Sequence, residues 1–296
     1  YDYAEVSQTA SPSNWGAQES PTSVPVAHGT PESALNEVVV IPFNDPERAL
    51  EILNRHADDL ACVLVDLLPH RVGLIPASDA FLSALREWTH NNGSLLVLDE
   101  VITFRGGYGG AQDDYSMQPD LTAMGKMIGG GFPVGALAGR RDVMEVMNPL
   151  RDRVLFPHSG TFSANPVTMV AGLTAMTLFD QPALTRLNAL NEQLRSQITE
   201  AIRVAEVPAC VTGGGSMFRI HMKPEPPQNY RATYADPEEV QIRTALLDHL
   251  FEKGMMMINT CSGTLSTAMG NRELDMLTEV LLEGFRRFRP MFQTHG

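Results

Sequence analysis

Lysine is nearly missing from this chain: three occur in 296 residues, Lys126, Lys223 and Lys253. Basic residues as a whole are outnumbered, 22 Lys and Arg against 35 Asp and Glu, for a net charge of -13. That balance argues against nonspecific binding to nucleic acid or to anionic membranes. No apolar run is long enough to span a bilayer, and no charged-then-apolar leader stands at the start. Cysteine is equally scarce. Cys62, Cys210 and Cys261 lie far apart, which excludes a Cys-x-x-Cys redox pair and a cysteine metal knuckle, and no metal site is expected. An odd, patternless count fits a reducing compartment, so a cytoplasmic location is expected. Two nucleotide-binding signatures are absent as well. Gly125-Lys126 is followed by Met127 rather than Ser or Thr, and Asp120 stands where a P-loop needs glycine. No G-x-G-x-x-G runs through residues 129 to 135.

Among the three lysines, Lys126 stands apart. It sits in Met124-Gly125-Lys126-Met127-Ile128-Gly129-Gly130-Gly131, among glycines and apolar side chains, whereas the other two have ordinary polar neighbours. Desolvation disfavours the charged form of an amine, so a lysine enclosed by such a segment is expected to lose its proton more easily. A neutral amine is a nucleophile, commonly used to form a Schiff base with a carbonyl. Twenty-seven residues upstream, Leu95-Leu96-Val97-Leu98 reads as a buried strand ending in Asp99 and Glu100. A lysine together with an acid at the C-terminal end of a strand suggests a pyridoxal phosphate (PLP) site. The lysine would hold the aldehyde and the acid the ring nitrogen.

Residues 1 to 36 read as irregular, with a long Ser-, Pro-, Gly- and Thr-rich loop from Ser11 to Thr30. Glu37 to Ile41 is a strand candidate. Asn44-Asp45-Pro46 opens a helix to about His56, with a capping residue and a first-turn proline. Strands are expected over residues 60–66 and 95–98, around a helix from Ser78 to Asn92 that Gly93 closes. Gly135 to Gly139 reads as a strand of small residues, and Arg141 to Met147 as a short helix. Pro166 to Leu178 and Ala183 to Val204 read as longer helices. Beyond Gln181, strands are expected over Ser216 to Met222 and Met255 to Ile258, with a Pro-rich loop and a Pro237 to Glu252 helix between them. A last helix, Asn271 to Phe288, puts Leu274, Leu277, Leu281 and Phe285 on one face. Alternating apolar strands and amphipathic helices indicate an α/β fold with a mostly parallel sheet. The expected division is a large α/β domain, residues 1–180, and a smaller α+β domain, residues 181–296. So few strands before Asp99 would leave sheet edges bare, so an N-terminal part of the large domain is expected to lie outside this sequence.

Each candidate residue has a plainer reading beside the functional one. Asp99, at the mouth of a parallel sheet, lies where open α/β folds bind ligands. Facing a pyridine nitrogen, it would keep that nitrogen protonated. Taken alone, it reads first as a helix cap or a structural ion pair after a strand. Glu100 points to the opposite face if the strand continues, and Val101 returns to the Asp99 face, where it can pack flat on an aromatic ring. For Lys126 the plain reading is an exposed lysine in a flexible glycine loop; the scarcity of lysine and its apolar neighbours weigh against that. His158-Ser159-Gly160-Thr161-Phe162-Ser163-Ala164-Asn165-Pro166 is a turn of small polar residues entering a helix. Its backbone N–H groups and hydroxyls suit a phosphate, although by itself it reads as a capped helix start. Arg71 could clamp a substrate carboxylate bidentately, against the simpler reading of a surface arginine in a loop. Met255, Met256 and Met257 read as core packing.

Together these segments resemble the class III aminotransferases of the PLP fold type I superfamily, with the nearest likeness to glutamate-1-semialdehyde aminomutases and β-amino-acid and amine transaminases. The matching run is Leu95 to Thr103, then Phe104 to Gln112, then Pro119 to Ala136, followed by the Gly160-Thr161-x-x-x-Asn165-Pro166 turn. It covers residues 60 to 180 well and the flanks loosely. The resemblance implies that Asp99 pairs with the ring nitrogen and Val101 packs on a ring face. It implies that Lys126 binds the cofactor covalently and moves the substrate proton. It also implies that Thr161, beside Gly160, reaches the phosphate in the neighbouring subunit of a homodimer. The likeness departs at Asp66-Leu67-Leu68-Pro69-His70-Arg71-Val72-Gly73, where the family usually carries Glu-Pro and then a Gly-Asn-like pair. The family's phosphate loop and ring-stacking aromatic precede the matched region.

The expected function is therefore a PLP-dependent aminotransferase, passing an amino group from a small amino donor to a carbonyl acceptor. One alternative is a 2,1-aminomutase on the same scaffold, which keeps its intermediate bound and moves the amine to a neighbouring carbon. A second is a non-catalytic PLP-fold protein, or a fragment that needs a partner chain.

Overall fold

The computed structural model describes residue 3, residues 6–115 and residues 118–293. Its elements run α1 (Glu32–Asn36), α2 (Pro46–Asn54), β1 (Cys62–Val65), α3 (Asp79–Asn92), β2 (Leu95–Asp99), β3 (Leu121–Gly125), β4 (Gly135–Gly139), α4 (Arg141–Met144) and α5 (Pro166–Leu178). There follow α6 (Gln181–Ala205), β5 (Cys210–Gly214), β6 (Met217–His221), α7 (Tyr230–Thr233), α8 (Pro237–Glu252), β7 (Ser262–Thr264) and α9 (Asn271–Gln293). Close contacts group the chain into two units that are discontinuous in sequence. One comprises Asp59–Leu67 and Leu82–Ala189; the other comprises Tyr1–Asp58, Leu68–Phe81 and Leu190–Gly296. A cut near residue 180 follows the change in sequence pattern, whereas the contacts place the first 58 residues with the C-terminal part.

The first of these units is built on a four-stranded sheet in the order β1-β2-β3-β4. β1 to β3 are parallel, and β4 runs antiparallel at one edge. Leu96 and Leu98 of β2 are wholly buried, while Leu95, Val97 and Asp99 share the opposite, half-buried face. That is the two-residue period of a strand, and it fixes which way Asp99 points. α3 packs Leu82, Leu85 and Trp88 into this core. It ends where Gly93 takes φ +70, a left-handed turn that glycine adopts without penalty.

The other unit holds an antiparallel sheet, β5-β6-β7. Its core includes Leu194, Ile198, Ile220, Leu246, Leu250, Leu281 and Phe285. α8 opens with a reciprocal capping box between Asp236 and Glu239, just before Pro237 in the first turn. α9 and α8 approach closely at Gly284, where an added Cβ would lie 2.6 Å from Leu246.

Several expectations are corrected. Residues 37–41 form no strand, and the nearby Glu32–Asn36 stretch is a short helix instead of loop. Val38 to Pro42 are each half-buried without alternation, so the β-branched run has no face to commit to a sheet. Met255 to Ile258 is also not a strand; the third strand is Ser262–Thr264, paired with β6 from Met217 to Arg219. Met256 is 85% exposed, so the methionine run is not core. No helix among the described residues is long and apolar enough to cross a membrane.

Candidate active site

β2 and β3 lie side by side, with Asp99 opposite Ala123, and Glu100 extends the ladder by donating its N–H to the Ala123 carbonyl at 2.9 Å. Three residues beyond Ala123 stands Lys126, first residue of a 3-10 turn, Lys126–Gly129. The two residues thus occupy the C-terminal ends of neighbouring parallel strands, the edge at which open α/β sheets bind ligands. Asp99 is half-buried, and its Oδ1 accepts the Val101 N–H at 3.0 Å. The Val101 side chain comes within 3.4 Å of where a Cβ on Gly125 would be. Val101 therefore sits at the root of the Lys126 turn.

Lys126 itself departs from expectation in one respect. It is exposed rather than enclosed by its apolar neighbours. The cause is its position on the open edge of the sheet. β4, which borders this turn, is exposed along its whole length, and Phe132 nearby is 48% exposed. The Lys126 backbone is in the left-handed region, with φ +49, a conformation it shares with Ser7, Asn44, Leu74, Ala164, Glu206 and Cys261. A left-handed conformation at a side-chain-bearing residue costs roughly 1–3 kcal/mol and is retained where function needs it.

The turn is held from beneath by α5. An added Cβ on Gly172 would strike the Ile128 carbonyl, and one on Gly130 would strike the Ala171 carbonyl. Backbone therefore packs directly on backbone, and φ +59 at Gly130 closes the turn. Gly172→Val is expected to destabilise the protein by about 1–3 kcal/mol, as overpacking does. It should also lower turnover, because the wedge displaces Ile128, two residues from the amine. Equal melting temperatures for variant and wild type would remove this account. Neither Gly172 nor the strand β3 stood out in the sequence. Leu121-Thr122-Ala123-Met124-Gly125 mixes small and polar residues, and the only available hint was the Gly129-Gly130-Gly131 run.

Glu100 belongs to the scaffold. It is fully buried, with its two carboxylate oxygens accepting the N–H groups of Ala111 at 2.7 Å and Gln112 at 2.9 Å. Burial pushes its carboxyl above the ordinary range, and the two backbone donors offset part of that rise. Gly160 and Thr161 lie in an exposed turn ahead of α5, closed by the Ser163 N–H on the Gly160 carbonyl at 3.0 Å. Asn165 caps α5 through Oδ1, which accepts from Val167 at 2.9 Å, and Pro166 follows at the first helical position. Asp99, Val101, Lys126, Gly160 and Thr161 all fall within one compact unit. Arg71 falls in the other, exposed on a 3-10 turn, His70–Val72, that ends at Gly73 with φ +90. Among the described residues, no group of three or more His, Cys, Asp or Glu side chains could hold a metal.

Over 236 residues the chain is 35% identical to glutamate-1-semialdehyde 2,1-aminomutase 2 of Brevibacillus brevis, covering 79% of this chain and 54% of that protein. It superposes on an omega-transaminase from Sphaerobacter thermophilus with TM-score 0.94 and 43% identity, covering 98% of this chain and 66% of the other. It also superposes on a transaminase whose structure holds PLP, with TM-score 0.86 and 36% identity over 99% of this chain and 66% of the other. The chain thus spans about half to two thirds of the length of these relatives. The architecture is that of the fold type I transaminases, an α/β fold around a mostly parallel sheet. The aminotransferase class-III model matches residues 7–269, a span that includes Asp99 and Lys126, and the chain belongs to the class III aminotransferase family.

Proposed function

We propose that the protein is a PLP-dependent aminotransferase moving an amino group between an amino acid or amine and a keto or aldehyde acceptor. The observation that carries this reading is the placement of Asp99 and Lys126 at the ends of adjacent parallel strands, the lysine on a left-handed backbone. The residues present fit the cofactor. With Asp99 Oδ1 on the Val101 N–H, no partner is recorded for Oδ2 among the described residues, which leaves a carboxylate oxygen for a ring N–H. When bound, PLP supplies an aldehyde for covalent attachment and an electron sink for the bond being broken.

The chain's own residues supply the rest. Asp99 holds the ring nitrogen in its protonated form by opposite charge. Val101 gives the ring an apolar surface. Lys126 Nζ would hold the aldehyde carbon at rest; displaced from it by the incoming substrate amine, the freed Nζ would accept the proton leaving the substrate Cα and return it afterwards. Its exposure lets the amine reach both substrate and cofactor. Gly160 and Thr161 offer a backbone N–H and a hydroxyl to phosphate oxygens, in the site of a neighbouring subunit.

A homodimer is part of this proposal. α5 is largely apolar, its polar side chains being Thr168, Thr174 and Thr177, and Val167 is 59%, Val170 65% and Leu173 70% exposed. Such a helix needs a covering surface. The three unpaired cysteines support a cytoplasmic setting. Borohydride reduction of the coloured protein should fix the cofactor to the peptide carrying Lys126. A label found elsewhere, or a protein that takes up no PLP, would end the proposal.

The name of the Brevibacillus relative favours a second reading, an intramolecular 2,1-aminomutase. A transaminase needs a separate keto acceptor for repeated turnover, whereas an aminomutase does not. Turnover that stays equally fast when the acceptor is omitted would select the aminomutase.

A further inference from the structure

Arg219 is an arginine in the wrong place for an ordinary structural role. It lies on β6, whose five residues are all buried, and is itself only 7% exposed. Its Nη1 donates to the His70 carbonyl at 3.0 Å, while its buried Nε has no partner. Among the described residues no carboxylate pairs with it. Burial first, then Arg243 and Arg71, lower its guanidinium to about 10, with Cys261, a thiol itself pushed up to about 12, acting the other way, so Arg219 remains a cation at neutral pH. A buried cation without a counter-charge is costly, and folded proteins pair such groups or bind an ion to them.

Arg219 opens onto a hollow of about 110 Å³ whose walls include His70, Arg71, Tyr230 and Thr260. Arg71 is exposed and, like Arg219, has no recorded acid partner. The polar side chains beside them are already engaged. Thr260 Oγ1 meets His70 Nε2 at 3.2 Å, Thr233 donates to the Val72 carbonyl, and Tyr230 donates to the Ala10 carbonyl. Tyr234, also in the wall, packs its ring edge-on against Trp15. The two guanidiniums are the charged donors of this hollow. A larger hollow of about 300 Å³ shares Gln8, Arg71 and Tyr230 as walls. Its far side is mostly apolar, with Trp15, Val40, Ile41 and Phe43. Asp45 is the one acid among its walls, and it is held by Arg48 at 2.5 Å. Arg231 is committed to the carbonyls of Trp15, Gly16 and Ala17 and to the Trp15 ring.

We propose that Arg219 and Arg71 form the anion end of a pocket for a small carboxylate with an apolar or aromatic body. The carboxylate binds the two guanidiniums in the smaller hollow, and the body lies against Trp15 and Phe43 in the larger one. All of these residues belong to one compact unit, and Lys126 and Asp99 belong to the other. The pocket therefore stands whether or not the catalytic assignment does. The carboxylate is the substrate's own or that of a separate effector.

Titration calorimetry on the purified full chain separates the outcomes. The probes are 3-phenylpropionate, which has neither amine nor carbonyl to react, and 3-phenylpropanol, which has the same body without the charge. The acid should bind saturably and at least about tenfold more tightly than the alcohol. Arg71→Gln and Arg219→Met should each weaken the acid by about tenfold or more and leave the alcohol unchanged. Arg219→Met should melt no lower than wild type, because it removes a buried unpaired charge. Should that variant fail to fold, Arg71→Gln, at an exposed position, still decides. Lys126→Ala should bind the acid as wild type does. Equal affinity for acid and alcohol, or an unchanged affinity for the acid in Arg71→Gln, overturns the proposal. Inhibition of turnover that is competitive with the amino donor assigns the pocket to the substrate's carboxylate. Noncompetitive inhibition assigns it to an effector.

Discussion

Lys126→Ala is expected to lower turnover roughly 10,000-fold, the upper end of what a positioned acid–base group contributes, while the protein still folds. The amine is exposed, so its removal opens no cavity and strands no buried partner. Lys126→Gly should be equally inactive and yet more stable than the alanine variant by about 1 kcal/mol. Alanine keeps a Cβ at φ +49, whereas glycine takes that conformation freely. Glycine's added freedom in the unfolded chain opposes this gain, so a measured difference in its favour gives a lower bound on the strain. The comparison separates two things that a single mutant would merge. Loss of activity in both variants reports the amine, and the stability difference between them reports the strain it is held under. Steady-state rates and thermal unfolding of the three proteins are sufficient. Residual turnover above about one per cent in Lys126→Ala would show that another group moves the proton, since a positioned acid–base group contributes about 100-fold or more. Alanine and glycine variants of equal stability would show that the turn holds Lys126 without strain.

The sequence marks Asp99 and Lys126 on this edge, and the roles given to them are what the labelling and the Lys126 variants test. Asp99 was legible because an apolar strand delivers it, and β2 ends at that residue. Lys126 was legible because lysine is scarce and glycine dense around it, but the reason first attached to it, enclosure by apolar neighbours, fails against an exposed side chain. Local sequence reports which residues are adjacent along the chain, and burial depends on what lies across space. The strand leading to Lys126 went unread because Thr122, Ala123 and Gly125 show no alternation, and its register is set by β2 and β4 on either side. Helices were the most readable elements, since α5 and α8 begin at prolines with capping residues directly before them. Arg219 was invisible in the sequence. It follows Phe218 in a strand buried on both faces, and nothing local marks an arginine as lacking a counter-charge.

Asp120→Ala is expected to cost about 3 kcal/mol of stability at neutral pH, from a buried N–H left unsatisfied and a partly buried guanidinium left without its partner. Asp120 immediately precedes β3, with its side chain only 2% exposed. Oδ2 accepts from Leu96 N at 2.8 Å and Arg86 Nη1 at 2.7 Å, and Oδ1 accepts from Arg140 Nη1 at 2.7 Å. One carboxylate thereby ties β2, β3, α3 and the segment after β4 together at the end of the sheet opposite Lys126. The Arg140 guanidinium is half exposed and returns to water when its partner is lost, so the penalty falls chiefly on Leu96 and Arg86. Asp120→Asn keeps an acceptor for Leu96 and should cost less than the alanine variant. Burial pushes the Asp120 carboxyl up, but the Leu96 N–H and the two guanidiniums outweigh it and hold the group below the ordinary aspartate value. An acid depressed in the folded state stabilises the protein above its unfolded pKa, about 3.9. That contribution disappears as pH falls through the lower folded value. The gap between wild type and Asp120→Ala should therefore stay constant above about pH 5 and narrow progressively below about pH 4. Denaturant titrations across that range decide the matter. A loss under about 1 kcal/mol at pH 7, or a gap that widens in acid, would mean that the strands leading to Lys126 are anchored by apolar packing and not by this carboxylate.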